Sequence, residues 1–198
     1  MKNGFWSPAR WVIAAIASLG LAFTVIAPIL GDGSRAGTSS GETALPAGAA
    51  PAFCDGKNRP AKLDFTLKDM AGRDVRMADY KGKVILLNFW ATWCGPCKYE
   101  IPAFVDLYTK YKDQGFVVLG VSTDDSPEAL RKFAESYKMN YPVLVGRDRS
   151  DLVDDAYGPM WGIPVSFFIT RNGTICRKHM GLATKEQLEK EIQALLAT

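Results

Sequence analysis

The chain is poor in the residues that hold metals. It has a single histidine, His179, and four cysteines, of which only Cys94 and Cys97 lie close together. A structural zinc site on that pair would need two more ligands. Cys54, Cys176 and His179 are the only soft candidates, and none forms a second close pair. No metal and no cofactor is expected. Excess charge is also missing. The net charge is +3, and two of those charges fall in the first 35 residues, where Lys2, Arg10 and Arg35 stand against Asp32. The nearly neutral remainder has no electrostatic footprint for nucleic acid. There are no internal repeats and no heptads. With 47% hydrophobic and 23% charged residues, the composition is that of a globular protein rather than a disordered one.

What the chain does have begins at its N-terminus. Residues 11–30, "WVIAAIASLGLAFTVIAPIL", carry no charge and follow Lys2 and Arg10. About 20 apolar residues match the bilayer core as a helix. The span is longer than the apolar core of a cleaved signal peptide, and no clear small-residue cleavage site follows it. A transmembrane anchor is therefore expected, with residues 1–10 cytoplasmic and the rest exported. A removed signal peptide and a buried soluble helix are the alternatives. Both the anchor and the signal peptide place the remainder where disulfides persist. Residues 31–53, rich in Gly, Ala and Ser, read as a flexible tether, and residues 54–198 as one globular domain.

Within that domain, "KLDFTL" and "RDVRM" flank "KDMAG" as a short hairpin. "KVILLNFW" and "FVVLGVS" are continuous apolar runs, as in strands buried on both faces. Helices are predicted after Pro96, after the Ser126-Pro127-Glu128 start, and after Thr184 with Gln187 three residues on. "PVLVG" and "SDLVDDAYG" read as a short strand and a short helix, and "VSFFIT" and "TICRKHM" as strands around an Asn172-Gly173 turn. The order implies a three-layer α/β fold with a mixed sheet flanked by helices.

The informative stretch is "FWATWCGPCKYEIP", residues 89–102. Cys94 follows a buried strand and opens a helix, and Cys97 sits one turn in. Free N–H groups at a helix N-terminus favour an anion, here the Cys94 thiolate. The thiolate is the attacking species, so Cys94 is the candidate nucleophile and Cys97 the resolving thiol. Structural zinc and a purely structural disulfide are the rival readings. Glu100 lies three residues after Cys97 on the same helix face. A half-buried carboxylate there would disfavour a nearby thiolate and exchange a proton with it, which adds Glu100 to the candidate catalytic residues. An exposed helix acid is the plainer reading. Pro102 should kink the helix. Trp93 is placed to cover the site or meet partners, whereas Trp90 suits the core.

"WCGPC" is identical to the motif of the thioredoxin fold, and residues 60–198 resemble that fold in element order. Within it, the chain resembles the membrane-anchored TlpA/ResA/CcmG family. Asn88 stands where cytoplasmic thioredoxin carries a buried Asp, Glu100 follows the motif as in ResA and TlpA, and an extra strand and helix fall around residues 139–157. The resemblance implies that Pro164 in "WGIPVSFF" is the family's cis-proline, facing the Cys pair. The backbone of Ile163 would then pair with an incoming extended peptide, alongside Trp93, Gly95 and Pro96 in substrate binding.

The family assigns no role to Cys54 and Cys176. In an exported protein a leftover pair suggests a bridge, and free buried thiols or a bond to another chain are the alternatives. His179 is expected at the surface or sheet edge rather than as a metal ligand. By resemblance, the protein is a periplasmic, single-pass inner-membrane thiol–disulfide oxidoreductase that reduces disulfides of exported clients. The implied clients are apocytochromes c or copper-site proteins of cytochrome oxidase assembly. The implied electron donor is a transmembrane thiol protein of the CcdA or DsbD kind. A disulfide oxidant and a copper chaperone are the rivals. A peroxidase of the related peroxiredoxin type fits less well, because it would use a lone cysteine.

Overall fold

The computed structural model describes residues 53–57, 59–147 and 149–198. The expected anchor at 11–30 and nearly all of the tether lie outside the described residues. Among the described residues no helix is long and apolar enough to cross a membrane. Phe53, at the expected end of the tether, already packs against the core.

The strands are β1 (Arg59–Pro60), β2 (Thr66–Asp69), β3 (Asp74–Arg76), β4 (Val84–Trp90), β5 (Phe116–Ser122), β6 (Val143–Val145), β7 (Val165–Ile169) and β8 (Thr174–Met180). The helices are α1 (Gly95–Tyr111), α2 (Pro127–Ser136), α3 (Ser150–Tyr157) and α4 (Lys185–Leu196). All strands join one sheet in the order β1-β8-β7-β4-β5-β6-β2-β3. β4 pairs parallel with β5 along its whole length, from Val84 opposite Phe116 to Trp90 opposite Ser122. On its other side it pairs antiparallel with β7. Every residue of β4 and β5 is buried, which is why both read as unbroken apolar runs.

Alternation along the strands divides the core in two. Val84, Leu86 and Trp90 of β4 face one side with Phe168 of β7, beneath side chains of α1, α2 and α4. Ile85, Leu87 and Phe89 face the other side with Val165, Phe167 and Tyr157. Asn88, between Leu86 and Trp90 in this alternation, belongs to the first face.

Capping fixes three of the helices. The side chains of Cys94, Ser126 and Thr184 accept from backbone N–H groups of Cys97, Ala129 and Gln187. α1 runs through Pro102 and ends, after a short tighter turn, at Gly115, whose φ of +89° is left-handed. A Cβ at Gly115 would also meet the Arg171 guanidinium at 2.6 Å.

The expected hairpin forms, but β2 starts only at Thr66 and keeps Lys68 and Asp69, so its turn is shifted along the chain. The hairpin extends the sheet edge by antiparallel pairing of β2 with β6. The edge strand β1, against β8, had no sequence signal, being two exposed residues long.

Candidate active site

β4 delivers the chain to the end of the sheet at Trp90. A turn of three residues, Ala91, Thr92 and Trp93, then leads to Cys94, the N-cap of α1. Cys94 and Cys97 are joined, with S–S at 1.99 Å. The Cys97 N–H points at Cys94 Sγ at 3.2 Å. Free N–H groups and the dipole of a 17-residue helix thus act on the Cys94 sulfur, which favours its thiolate once the pair is reduced. Gly95 and Pro96 are exposed, and nothing lies within 4 Å of a Cβ built on Gly95, so a partner backbone can approach closely there.

The Ile163–Pro164 peptide is cis. It brings the Ile163 carbonyl oxygen to 3.7 Å from Cys94 Sγ. Cys94, Cys97, Ile163 and Pro164 therefore meet at one end of the sheet, with Trp93 beside them. Trp93 is 64% exposed, and its indole N–H donates to Asp124 at 2.9 Å. Trp90, by contrast, is fully buried. Three more large apolar side chains are exposed: Met180 at the end of β8, and Trp161 and Leu182 in the neighbouring loops.

Two acids that sequence reading passed over hold the turn in place. Asp125 is buried. It accepts from the Thr92 N–H at 2.8 Å, the Thr92 hydroxyl at 2.5 Å and the Ser122 hydroxyl at 2.7 Å. The parallel pairing of β4 and β5 puts their C-terminal ends side by side, so a polar pair just past β5 must lie next to the turn past β4. That is the signal by which Asp124 and Asp125 could have been found.

Glu100 is 1% exposed, so it is not the exposed helix acid of the plainer reading. Its Oε1 accepts from the Ala183 N–H at 2.8 Å, and its Oε2 is buried without a hydrogen-bond partner. Burial pushes the Glu100 carboxyl up to about 7, while the Ala183 N–H and positive charge on His179 pull it back. A carboxyl that titrates there can both take and return a proton near neutral pH. The connection that carries Ala183 is pinned a second time, because the Gly181 N–H donates to the Pro164 carbonyl at 2.9 Å. Glu100 thereby links the helix of the Cys pair to the segment that holds the cis-proline.

His179 lies on β8 beyond its short pairing with β1, at the sheet edge as expected, but not at the surface. Its ring packs edge-on against Phe168 at 5.8 Å, and its Nε2 lies 2.7 Å from Glu191 Oε2. The residue is nearly enclosed because β8 turns this face toward α4. Asn88 is buried and donates to the Ser166 hydroxyl at 3.0 Å. No charge stands at that position of β4; the buried carboxylate on this side of the pair comes from α1.

Cys54 and Cys176 are bonded across 122 residues of chain, with S–S at 1.99 Å. The bond lies outside the active site, at a bulge where the pairing of β8 jumps from Arg177 to Ile175 and leaves Cys176 over. The neighbouring Asp55 N–H donates to the Cys176 carbonyl at 2.8 Å.

The AhpC/TSA family model matches residues 58–178. The chain belongs to the AhpC/TSA family. Among curated proteins, it is 39% identical to the thiol-disulfide oxidoreductase ResA of Geobacillus kaustophilus over 67% of this chain and 74% of that one. The ResA of Halalkalibacterium halodurans is 28% identical over 98% of this chain and 96% of its own. Among solved structures, a thiol:disulfide interchange protein of the thioredoxin family from Chlorobium tepidum superposes with a TM-score of 0.64. It is 26% identical and covers 72% of this chain and 99% of its own. The fold is thioredoxin-like, and within the AhpC/TSA family the chain falls with the ResA and CcmG type expected from "WCGPC" and Glu100.

Proposed function

We propose that this family member reduces disulfides in exported proteins from a membrane-tethered position outside the cytoplasm. The chemistry is that of a thiol–disulfide oxidoreductase acting as a protein-disulfide reductase. The observation that carries the reading is the Cys94–Cys97 pair at the N-terminus of α1, opposite Ile163 and Pro164. In the reduced enzyme the Cys94 thiolate attacks one sulfur of a client disulfide. The client's other sulfur leaves with the bonding electrons and takes up a proton. Cys97 gives its proton to Glu100 and attacks Cys94 Sγ. The mixed disulfide breaks, its client sulfur leaves with the bonding electrons and takes up a second proton, so the client departs as a dithiol and the enzyme is left with the bond seen here. Two electrons have passed to the client, so each turnover needs a dithiol donor. A transmembrane thiol protein of the CcdA or DsbD kind fits that need, and apocytochromes c or copper-site proteins fit as clients.

The uncharged span at residues 11–30 supports the tether. The Gly95-Pro96 spacer supports the reducing direction, because thioredoxin with the same spacer has a potential of about −270 mV. A paired rather than lone cysteine in "WCGPC" argues against a peroxidase. The experiment is a trap. Cys97→Ser should strand clients on Cys94 as mixed disulfides that mass spectrometry identifies. A defined set of exported proteins is the expected result. Random partners would make it a generalist rather than a client-specific enzyme, and a measured potential on the oxidant side (about −120 mV) would overturn the reductase reading.

A further inference from the structure

Among the described residues, five large apolar side chains are exposed: Trp93, Tyr99, Trp161, Met180 and Leu182. Scattered singly over a surface, they would need no explanation. They are not scattered. Trp93 directly precedes Cys94, and Tyr99 stands a turn beyond Gly95 on α1. Trp161, the most exposed of them at 88%, lies two residues before Ile163, whose carbonyl oxygen is 3.7 Å from Cys94 Sγ. Met180 pairs with Val165, the residue after the cis-proline. Leu182 sits between two hydrogen bonds that tie its segment to the site, from the Gly181 N–H to the Pro164 carbonyl and from the Ala183 N–H to Glu100. All five thus belong to the end of the sheet that holds the Cys pair. A cluster of exposed apolar groups marks a contact surface.

What lies in the middle of this surface decides its occupant. A permanent cover, such as a second copy of this chain, would close off Cys94 and stop exchange. The occupant must come and go with each turnover and bring a sulfur to Cys94, as a client does. Nothing lies within 4 Å of a Cβ built on Gly95, so an extended client backbone can cross the pair. The sheet order β8-β7-β4-β5 then puts apolar surface on both hands of the reacting sulfur. Leu182 stands past the end of β8, Trp161 in the loop that enters β7, and Trp93 on the β5 side, where its N–H donates to Asp124 at 2.9 Å. That hydrogen bond holds the indole ready, so less freedom is lost when a client docks. Large apolar side chains are mostly buried once a protein has folded, so the surface suits a segment that is still extended. We propose that Trp161 and Leu182 are specificity-determining residues, which select extended client segments whose reacting cysteine is flanked by large apolar side chains.

The inference rests on the reading that Cys94 reduces client disulfides, and the test separates the two. The reduced full chain is given two disulfide-linked peptides that differ only beside the cysteine, Leu and Phe in one and Ser and Asn in the other. Hydroxyethyl disulfide, too small to reach the flanks, is the reference substrate. Second-order rates are measured for all three and divided by those with dithiothreitol, which removes differences in intrinsic reactivity. The apolar peptide should react about tenfold faster than the polar one. Trp161→Ser and Leu182→Ser should each lower that ratio about fivefold, the effect of one interface residue that matters. Trp161→Phe, which keeps a ring, should retain most of it. A general loss of structure would instead slow all three substrates together and leave the ratio in place. If the native enzyme reduces both peptides at equal rates, or if both Ser variants keep the native ratio, the inference fails and the reductase reading stands. The inference also fails if sedimentation shows the full chain as a dimer that Trp161→Ser splits, because a second copy then covers the surface. If none of the three substrates is reduced, both readings fail.

Discussion

Glu100 should make the protein less stable as pH rises, and Glu100→Gln should remove that loss. The carboxyl titrates near 4.5 in the unfolded chain and at about 7 in the folded one. Below about pH 4 both states are neutral and the group has no effect. Between the two values folding takes up a proton, so stability falls by about 1.4 kcal/mol per pH unit. Above about pH 8 the full cost, on the order of 3 kcal/mol, is in place. Glutamine is never charged, and its amide oxygen can keep the Ala183 N–H as donor. Relative to the native protein, Glu100→Gln should therefore gain about 2.5 kcal/mol of stability between about pH 5 and pH 8. Urea unfolding of both oxidised proteins at the two pH values measures it, with slopes required to agree. A difference that stays constant within about 0.5 kcal/mol would refute the reasoning. It would mean that Glu100 is ionised throughout, or that water reaches it.

The remaining predictions concern the supports of the site. Replacing Cys54 and Cys176 by Ala together should cost about 5 kcal/mol in the chain-entropy model for a loop of 122 residues, read as a lowered urea midpoint, with peptide reduction at Cys94 retained. Asp125→Ala strips three hydrogen bonds from Thr92 and Ser122 and should cost about 3 kcal/mol, with slower exchange because the turn before Cys94 loosens. Asn88→Asp would place an unpaired carboxyl on the buried face of β4. It should destabilise the protein by several kcal/mol at about pH 8 and by much less at about pH 5, seen in paired urea titrations.

Much of this site could be read along the chain, because its parts are local. Cys94, Cys97 and Glu100 lie within one strand-turn-helix segment, where spacing alone places them on one helix end and one face. Pro164 needed the resemblance, since nothing in "WGIPVSFF" by itself says what the proline faces. What stayed hidden depends on register between distant strands. Asp125 reaches Thr92 only because β4 and β5 end side by side. His179 reaches Glu191 only because its face of β8 turns toward α4; a lone histidine in an alternating edge strand gives no hint of that. The fold behaved alike: long buried strands were plain from their apolar runs, whereas β1, two exposed residues held by pairing to β8, carries no pattern at all.

The bond between Cys54 and Cys176 also settles a question of mechanics. Whatever precedes Phe53 leaves the domain at the bulge of β8, not at the free end of a frayed strand. A pull on that leading segment is taken up by the covalent bond and passed into β8, which is paired with β7 and so with the centre of the sheet. The two-residue strand β1, which would otherwise peel first, is bypassed. The load enters about 13 Å along β8 from Met180, at which end the strand reaches the proline segment. The point where such a load enters and the end of β8 nearest the reaction centre thus lie apart on the same strand, and a pull at Cys54 need not unseat the proline segment.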